Sequence, residues 1–370
     1  MTPQPLVTLI LWPLLISFLV SFLVTPLIIR LYHHLKWLED PRKVKFNKAT
    51  HTYPVPRGGG IPIFISLLVT SFLLLPLDTH LRGILLGATV LTVVGILDDR
   101  FDLNPYFRLL TNLLAAGLVI ASGIGIAYIS NPFGSLIHLD QPRLNFFLFG
   151  ENRSLWLLAD LFALFWIIFL MNTVNWSKGF DGQLPGITVI AALTIALLSL
   201  NFSADVTQWP VTVLAALTAG AYLGFLPFNF YPQKIMPGYG GGSLAGYLLA
   251  VLAILSTTKV GTAVVVLGIP LIDALYAITR RILTGRSPVW GDRGHLHHKL
   301  LDQWQWSKRK TALFYWIITA ILGLLALNLS SQQKLYTMIT LALIIGGLFL
   351  WFSFFTRSSA PSDRAKPSKI

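Results

Sequence analysis

Long apolar stretches alternate with short polar ones along almost the whole chain. Apolar runs occupy residues 6–32, 58–77, 83–97, 106–129, 155–171, 185–200, 210–226, 244–256, 260–283, 311–329 and 336–354. Within them Leu, Ile, Val, Phe and Ala follow one another without the in-out alternation of a lipid-facing strand, so the pattern predicts helices and not a β-barrel. Most approach the roughly 20 apolar residues that a helix needs to cross a bilayer. The predicted fold is therefore an all-α polytopic membrane protein with about 10–11 transmembrane helices. The first run continues to about Tyr32, far beyond a signal-peptide core, and is read as a retained span. Residues 1–355 are read as one membrane-embedded domain. Residues 356–370, rich in Ser, Pro and Lys, are read as a basic, disordered tail. The polar stretch 130–154 carries Pro132, Gly134, Pro142 and Gly150, turn residues suited to a short hairpin.

Composition sharpens this picture. Hydrophobic residues make up 54% and charged residues 12% of the chain, against about 25% charged in a soluble domain, which excludes a conventional cytosolic enzyme. There are 28 Lys and Arg against 15 Asp and Glu, a formal charge of +13. Placing 30–57, 98–108, 172–184, 227–243, 280–310 and 356–370 on the inside collects 23 of the 28 basic residues there. Only Arg82, Arg143, Arg153, Lys259 and Lys334 then fall outside. The positive-inside rule thus predicts an outside N-terminus and a cytoplasmic C-terminus. Because the basic residues sit at the membrane boundary and not on a groove-reading fold, no nucleic-acid partner is expected. The chain has no cysteine, which excludes disulfides, thiolate metal sites and a Cys nucleophile.

The chemistry-bearing residues gather in the inside segments. Asp98 and Asp99 end the third run, where paired carboxylates suit Mg2+ ligation or general base work; an interfacial helix end paired with Arg100 is the plainer reading. The next inside segment packs Asn172, Asn175, Lys178, Gly179, Asp181 and Gly182 into eleven residues, suited to a polar ligand or simply to a capped turn. Residues 234–244 carry Gly238, Gly240, Gly241 and Gly242, a run that can offer backbone N–H groups to phosphate or serve as a hinge. His295, His297 and His298 lie in a strongly basic loop that suits an anion better than zinc. Arg42, Lys43, Lys45, Lys48, His51 and Arg57 form a basic cluster, for which attraction to anionic headgroups is worth about 1 kcal/mol per residue. Asp273 stands apart, deep in the ninth run, where an ionisable group is usually paired or functional; Arg280, seven residues later on the same helical face, makes a structural or orienting role at least as well supported as catalysis.

Taken in order, these motifs resemble the polyprenyl-phosphate N-acetylhexosamine-1-phosphate transferases, the glycosyltransferase family 4 that includes WecA, TagO and MraY. The resemblance spans about residues 6–355. It rests on Pro54-Val55-Pro56-Arg57-Gly58-Gly59, the Asp98-Asp99 pair, residues 172–182, residues 234–244 and His295-Leu296-His297-His298. It implies transfer of a sugar 1-phosphate from a UDP-N-acetylhexosamine to undecaprenyl or another polyprenyl phosphate. UMP leaves, and a lipid-linked envelope glycan such as teichoic acid or lipopolysaccharide is started. It also implies a bacterial plasma-membrane location, a cytoplasmic active site, Mg2+ or Mn2+ as cofactor and a possible homodimer. By resemblance Asp98, Asp99 and Asp181 are catalytic, and Asp98, Asp99 and Asn175 hold the metal. Lys48, Arg57, Arg108, Lys178, Gly240, His295, His297 and His298 bind substrate. His-Leu-His-His followed by Lys-Leu-Leu-Asp is closer to the WecA and TagO branch, which implies an N-acetylglucosamine donor.

The chain departs from the family at two acids. Where the family reads Asn-x-x-Asp-Gly-x-Asp-Gly, the first Asp is Lys178; where it reads Met-Gly-Asp-x-Gly-Ser, the stretch is Pro237-Gly238-Tyr239-Gly240-Gly241-Gly242-Ser243. Losing a charged oxygen ligand weakens any Mg2+ site. Two further readings stay open: a catalytically impaired relative that binds lipid phosphate or nucleotide sugar, and an anionic-solute transporter. The transporter ranks last because only Asp273 lies deep in a span.

Overall fold

The computed structural model describes residues 3–42, 51–148, 151–201, 208–256, 259–288 and 294–355. Lys48 and the expected tail lie outside these residues. Every predicted apolar run contains a helix, although the run 106–129 leaves its helix at Ala121. The helices are α1 (Val7–His34), α2 (Gly60–Leu74), α3 (Thr79–Phe101), α4 (Pro105–Ala121), α5 (Leu157–Trp176), α6 (Gln183–Leu200), α7 (Trp209–Asn229), α8 (Gly238–Leu255), the pair α9 (Lys259–Val266) and α10 (Gly268–Leu283), a short α11 (Leu296–Asp302), α12 (Lys308–Asn328) and α13 (Ser331–Phe355). Eight are long and apolar enough to cross a membrane. α2 and α4 are shorter, at 15 and 17 residues. The ninth predicted span is broken, since α9 and α10 meet at a bend of 83°. Pro270, two residues after Gly268, has no N–H to offer the Val266 carbonyl, so the helical ladder fails there.

Two boundaries move from their expected places. α5 runs on to Trp176, so Asn172 and Asn175 are the last helical residues and not loop residues. α8 starts at Gly238, so the glycine run is its first turn. Strands among the described residues form only two-stranded pairs: β1 (Leu38–Glu39) with β2 (Val55–Pro56), β3 (Tyr128–Ile129) with β4 (Ile137–His138), and β5 (Arg143–Leu148) with β6 (Glu151–Trp156). The last pair is the expected hairpin, antiparallel with Arg143 opposite Trp156.

The core lies around α6, α7 and α8. Residues 238–253 of α8 are all buried, whereas Leu19, Leu23 and Leu27 of α1 and Leu343 and Ile344 of α13 face outward, as lipid-facing helices must. Small residues let the central helices approach closely. Gly220 and Gly224 of α7 lie against the α1 backbone at Leu14 and Phe18, beside Ser17 and Ser21. Ser17 donates to the Leu217 carbonyl at 2.7 Å, and Ser66 of α2 donates to the Ser17 carbonyl at 2.6 Å. Spacing of four between small residues and hydroxyls that bond across helices is how apolar helices associate when lipid offers no hydrophobic contrast.

Candidate functional site

The site begins at the end of α3. Asp78 caps its start by accepting from Leu81 N–H at 2.7 Å, and Asp102 ends it in a left-handed conformation with φ 49°, which Asp tolerates better than most residues. Asp98 and Asp99 therefore occupy the last turn, where the helix dipole disfavours negative charge. Two arginines compensate. Arg57, following β2, lies 3.2 Å from Asp98 Oδ2 through Nη2, 3.5 Å from Asp99 Oδ1 through Nε and 3.2 Å from Glu39 Oε2 through Nη1. Arg108 of α4 brings Nε to 2.6 Å from Asp98 Oδ1, an ion pair without hydrogen-bond alignment. Its Nη2 reaches Asp102 at 2.9 Å. Asp98 is fully buried and also accepts from Leu103 N–H at 3.1 Å. Burial acts against the charge of Arg57, but Asp99, Glu39 and Asp98 outweigh it and hold the guanidinium above its ordinary pKa.

The next inside segment enters the same cluster. Lys178 Nζ donates to the Gly238 carbonyl at 3.0 Å and lies 5.9 Å from the Tyr239 ring centre. Its surroundings include Arg57, Arg108, Asp98 and Asp99. Burial, with the neighbouring Arg57 and Arg108, pushes this ammonium down from 10.5 to about 8, against the pull of Asp98 and Asp99. Gly238 has φ +66°, and a side chain there would strike the Arg57 carbonyl and the Asp99 carboxylate, so only glycine fits. Tyr239 gives its N–H to Asp99 Oδ1 at 3.4 Å. Its buried hydroxyl bonds Asn112 Oδ1 at 2.7 Å and the Arg108 carbonyl at 3.1 Å.

Gly240 does not have the place expected of a phosphate contact. It is buried where α2, α3 and α8 touch, against Gly60 and Gly95. Side chains at these glycines would force the three helices apart, so the run serves packing and not ligand approach.

His295, His297 and His298 are all buried and cover the segment that holds Lys178. His297 packs against Gly179 and 5.6 Å from Phe180, and His295 lies 5.8 Å from Trp176. Asp273 orients this loop from α10. Its Oδ2 is 2.9 Å from His295 Nδ1, and its Oδ1 accepts from Leu296 N–H at 2.8 Å. Arg281 Nη2 lies 3.3 Å from His295 Nε2. A guanidinium only donates, so Nε2 carries the lone pair and Nδ1–H donates to Asp273. Asp273 thus has the orienting role, through an Asp273–His295–Arg281 chain. His295 is thus a fixed scaffold whose two ring nitrogens face protein.

Asp181 belongs to a second cluster. It is fully buried, accepts from Gln233 N–H at 3.2 Å and pairs with Lys308 at 3.3 Å. Asn229 joins in by accepting from Gly182 N–H at 3.0 Å and donating to the Ile235 carbonyl at 2.9 Å. Among the described residues, Asp98, Asp99, Arg57, Arg108 and Lys178 form one contiguous unit, with the His loop packed over Gly179. Sequence reading missed Asn112, Arg281 and Lys308. Arg281 and Lys308 lay in the basic inside segment without a mark to separate them from topology charges. Asn112, a polar residue inside an apolar run, was a visible signal.

Residues 81–257 match glycosyl transferase family 4. The chain is 29% identical over 325 residues to the probable undecaprenyl-phosphate N-acetylglucosaminyl 1-phosphate transferase of Bacillus subtilis, covering 86% of this chain and 84% of that protein. The decaprenyl-phosphate N-acetylglucosaminephosphotransferase of Mycobacterium leprae is 28% identical, over 90% and 86%. The phospho-N-acetylmuramoyl-pentapeptide-transferase of a Geobacillus strain is 27% identical, over 85% and 95%. Over residues 81–257 the chain is thus similar to glycosyl transferase family 4. With eight apolar helices among the described residues and bacterial relatives, the chain is a multi-pass protein of the bacterial plasma membrane.

Glycosyl transferase family 4 generally uses Mg2+, and two of the three expected ligands, Asp98 and Asn175, do not fit it here. Both oxygens of Asp98 already face guanidinium groups. Asn175 Oδ1 has no hydrogen-bond partner, but it is pressed against Gly242, where any side chain would strike it. Among the described residues no three His, Asp or Glu converge as metal ligands. A divalent ion would also add charge beside Arg57, Arg108 and Lys178.

Proposed function

We propose that this chain transfers N-acetylglucosamine 1-phosphate from UDP-N-acetylglucosamine to polyprenyl phosphate, releasing UMP and starting a lipid-linked envelope glycan. The observation that carries the proposal is the cluster of Arg57, Arg108 and Lys178 around Asp98 and Asp99. A cavity of about 330 Å³ is lined by Leu109, Leu161, Phe165, Phe169 and Ile278 together with Asn172, Thr173 and Trp176, and Leu109 directly follows Arg108 in the chain. An isoprenoid phosphate has the matching chemistry, an apolar tail with an anionic head. The positive-inside count puts the cluster on the cytosolic face, where nucleotide sugars are available.

In the proposed step, an oxygen of the lipid phosphate bonds to the sugar-bearing phosphorus of the donor. The bond from that phosphorus to the bridging oxygen breaks, and its electron pair leaves with UMP. No proton has to be removed first, because a phosphate monoester with a second pKa near 6 is largely ionised at neutral pH. The barrier therefore lies in bringing anions together, which positioned cations relieve. Arg57 and Arg108 supply fixed positive charge, Asp98 holds both in register, and Asp99 faces the same space beside Lys178. His297 and His298 cover the nucleotide side, and Asp181 with Lys308 holds the loop that carries Gly179. The GlcNAc donor is supported by the His-Leu-His-His form and by the names of the Bacillus and mycobacterial relatives.

The test is UMP release by purified protein in detergent with undecaprenyl phosphate and UDP-N-acetylglucosamine. Release that needs both substrates, with labelled sugar appearing in the lipid fraction, is the expected outcome. Folded protein that binds UDP but releases no UMP from any UDP-N-acetylhexosamine would instead establish a non-catalytic binder, the reading that Lys178 and Tyr239 favour.

A further inference from the structure

The two departures from the family pattern, Lys178 and Tyr239, are 61 positions apart in sequence and adjacent in space. The ammonium lies over the phenol ring, an arrangement favourable to a cation, and the backbone of the same turn fixes it through the Gly238 carbonyl. Tyr239 is anchored in turn by Asn112 and the Arg108 carbonyl. The lost acids have thus been replaced by one connected unit, which delivers a positive charge to the carboxylates where two negative charges would otherwise face a metal.

The charge arrangement is complete without an ion. Asp98 is bracketed by Arg57 and Arg108, and Asp99 by Arg57 and the Tyr239 N–H. Lys178 engages Gly238 with one proton, and an ammonium has three. We propose that Lys178 is the resident cation of the phosphate site, standing in for the divalent metal, and that this chain binds its nucleoside-diphosphate donor without Mg2+. The turnover arm of this inference rests on the transferase reading above; the binding arms do not.

Three measurements on the full chain in detergent test it. Mn2+ titrated against the protein and read by electron paramagnetic resonance should show no stoichiometric site, with or without UDP. UDP affinity by calorimetry should agree within about twofold between EDTA and millimolar Mg2+. Lys178→Met should weaken UDP in EDTA by at least tenfold, the scale of one lost charge-assisted hydrogen bond. Lys178→Asp, which restores the family's acid, should acquire a Mn2+ site; thermal unfolding identifies a variant that has failed to fold, and Lys178→Met then carries the test. One Mn2+ bound per wild-type chain, or UDP binding that EDTA abolishes, would overturn the proposal. UMP release, where present, should persist in EDTA. If no release occurs under any condition, the transferase reading fails while the Mn2+ and UDP measurements still decide the role of Lys178.

Discussion

Two buried charge clusters built from similar residues behave as opposites. Around Asp273, one carboxylate accepts from His295 and from the Leu296 N–H, and His295 in turn accepts from Arg281. Donors and acceptors face one another along the chain, which ties the broken α10 to the His loop. Around Asp98 and Asp99, two carboxylates meet Arg57, Arg108 and Lys178. Glu39 and Asp102 take up the outer sides of the two guanidinium groups, and Lys178 leaves an ammonium with donors still to engage. The first arrangement stabilises a loop, and the second is prepared for an anion. Donors left to engage, as on the Lys178 ammonium, rather than burial or the number of ionisable groups, separate a binding site from a scaffold in this molecule.

The largest effect that would break this contrast is loss of Asp98. Asp98→Asn leaves the half-buried Arg57 and Arg108 against a neutral amide, and UMP release should fall about 100- to 1,000-fold, the scale of losing an oriented electrostatic group. A fall under tenfold would mean that the cluster is not the reacting centre. Lys178→Met comes next, with a loss of roughly 10- to 100-fold from one charge-assisted contact. Lys178→Arg should recover part of it by keeping the charge with altered geometry.

On the scaffold side, Asp273→Asn should act mainly on stability. It should cost about 1.5–3 kcal/mol as a weakened charge-assisted hydrogen bond, seen as earlier thermal unfolding, with UDP affinity nearly unchanged. A large loss of UDP binding without loss of stability would make His295 a ligand contact and erase the distinction between the clusters.

The smallest and sharpest test is pH. The Lys178 ammonium is pushed down to about 8, so it is charged below that value and neutral above it. Activity should decline as pH rises through about 8, and Lys178→Arg should lose that alkaline limb. Stability has the opposite sign. A folded pKa below the ordinary 10.5 makes the buried ammonium oppose folding below about 8, and this penalty is relieved as pH rises towards 10.5.

Much of the fold and part of the site were legible in the amino-acid pattern. The eleven apolar runs and the hairpin in 130–154 follow from hydrophobic continuity and turn residues, whereas Arg57, Asp98, Asp99, Arg108 and Lys178 stood out as site residues through the family resemblance, without any sign that they meet. The glycine run was misread because sequence shows that a residue lacks a side chain without showing whether a ligand or another helix takes the vacated space. At Gly240 it is another helix. Arg280 was the neighbour that Asp273 showed along its own helix, whereas its partner in the fold comes from a loop 22 residues on. Helical periodicity reports only neighbours on the same element.

The sequence by itself therefore determined the membrane class, the set of helices and the residue types available to phosphate chemistry, because apolar length and unpaired charge are local properties. Tertiary structure alone decided that α9 and α10 break at 83°, that Asp181 pairs with Lys308 away from Asp98, and that Lys178 and Tyr239 are one unit. Charge balance in a buried site is a sum over side chains from several helices, and only the packed fold sets which ones enter it.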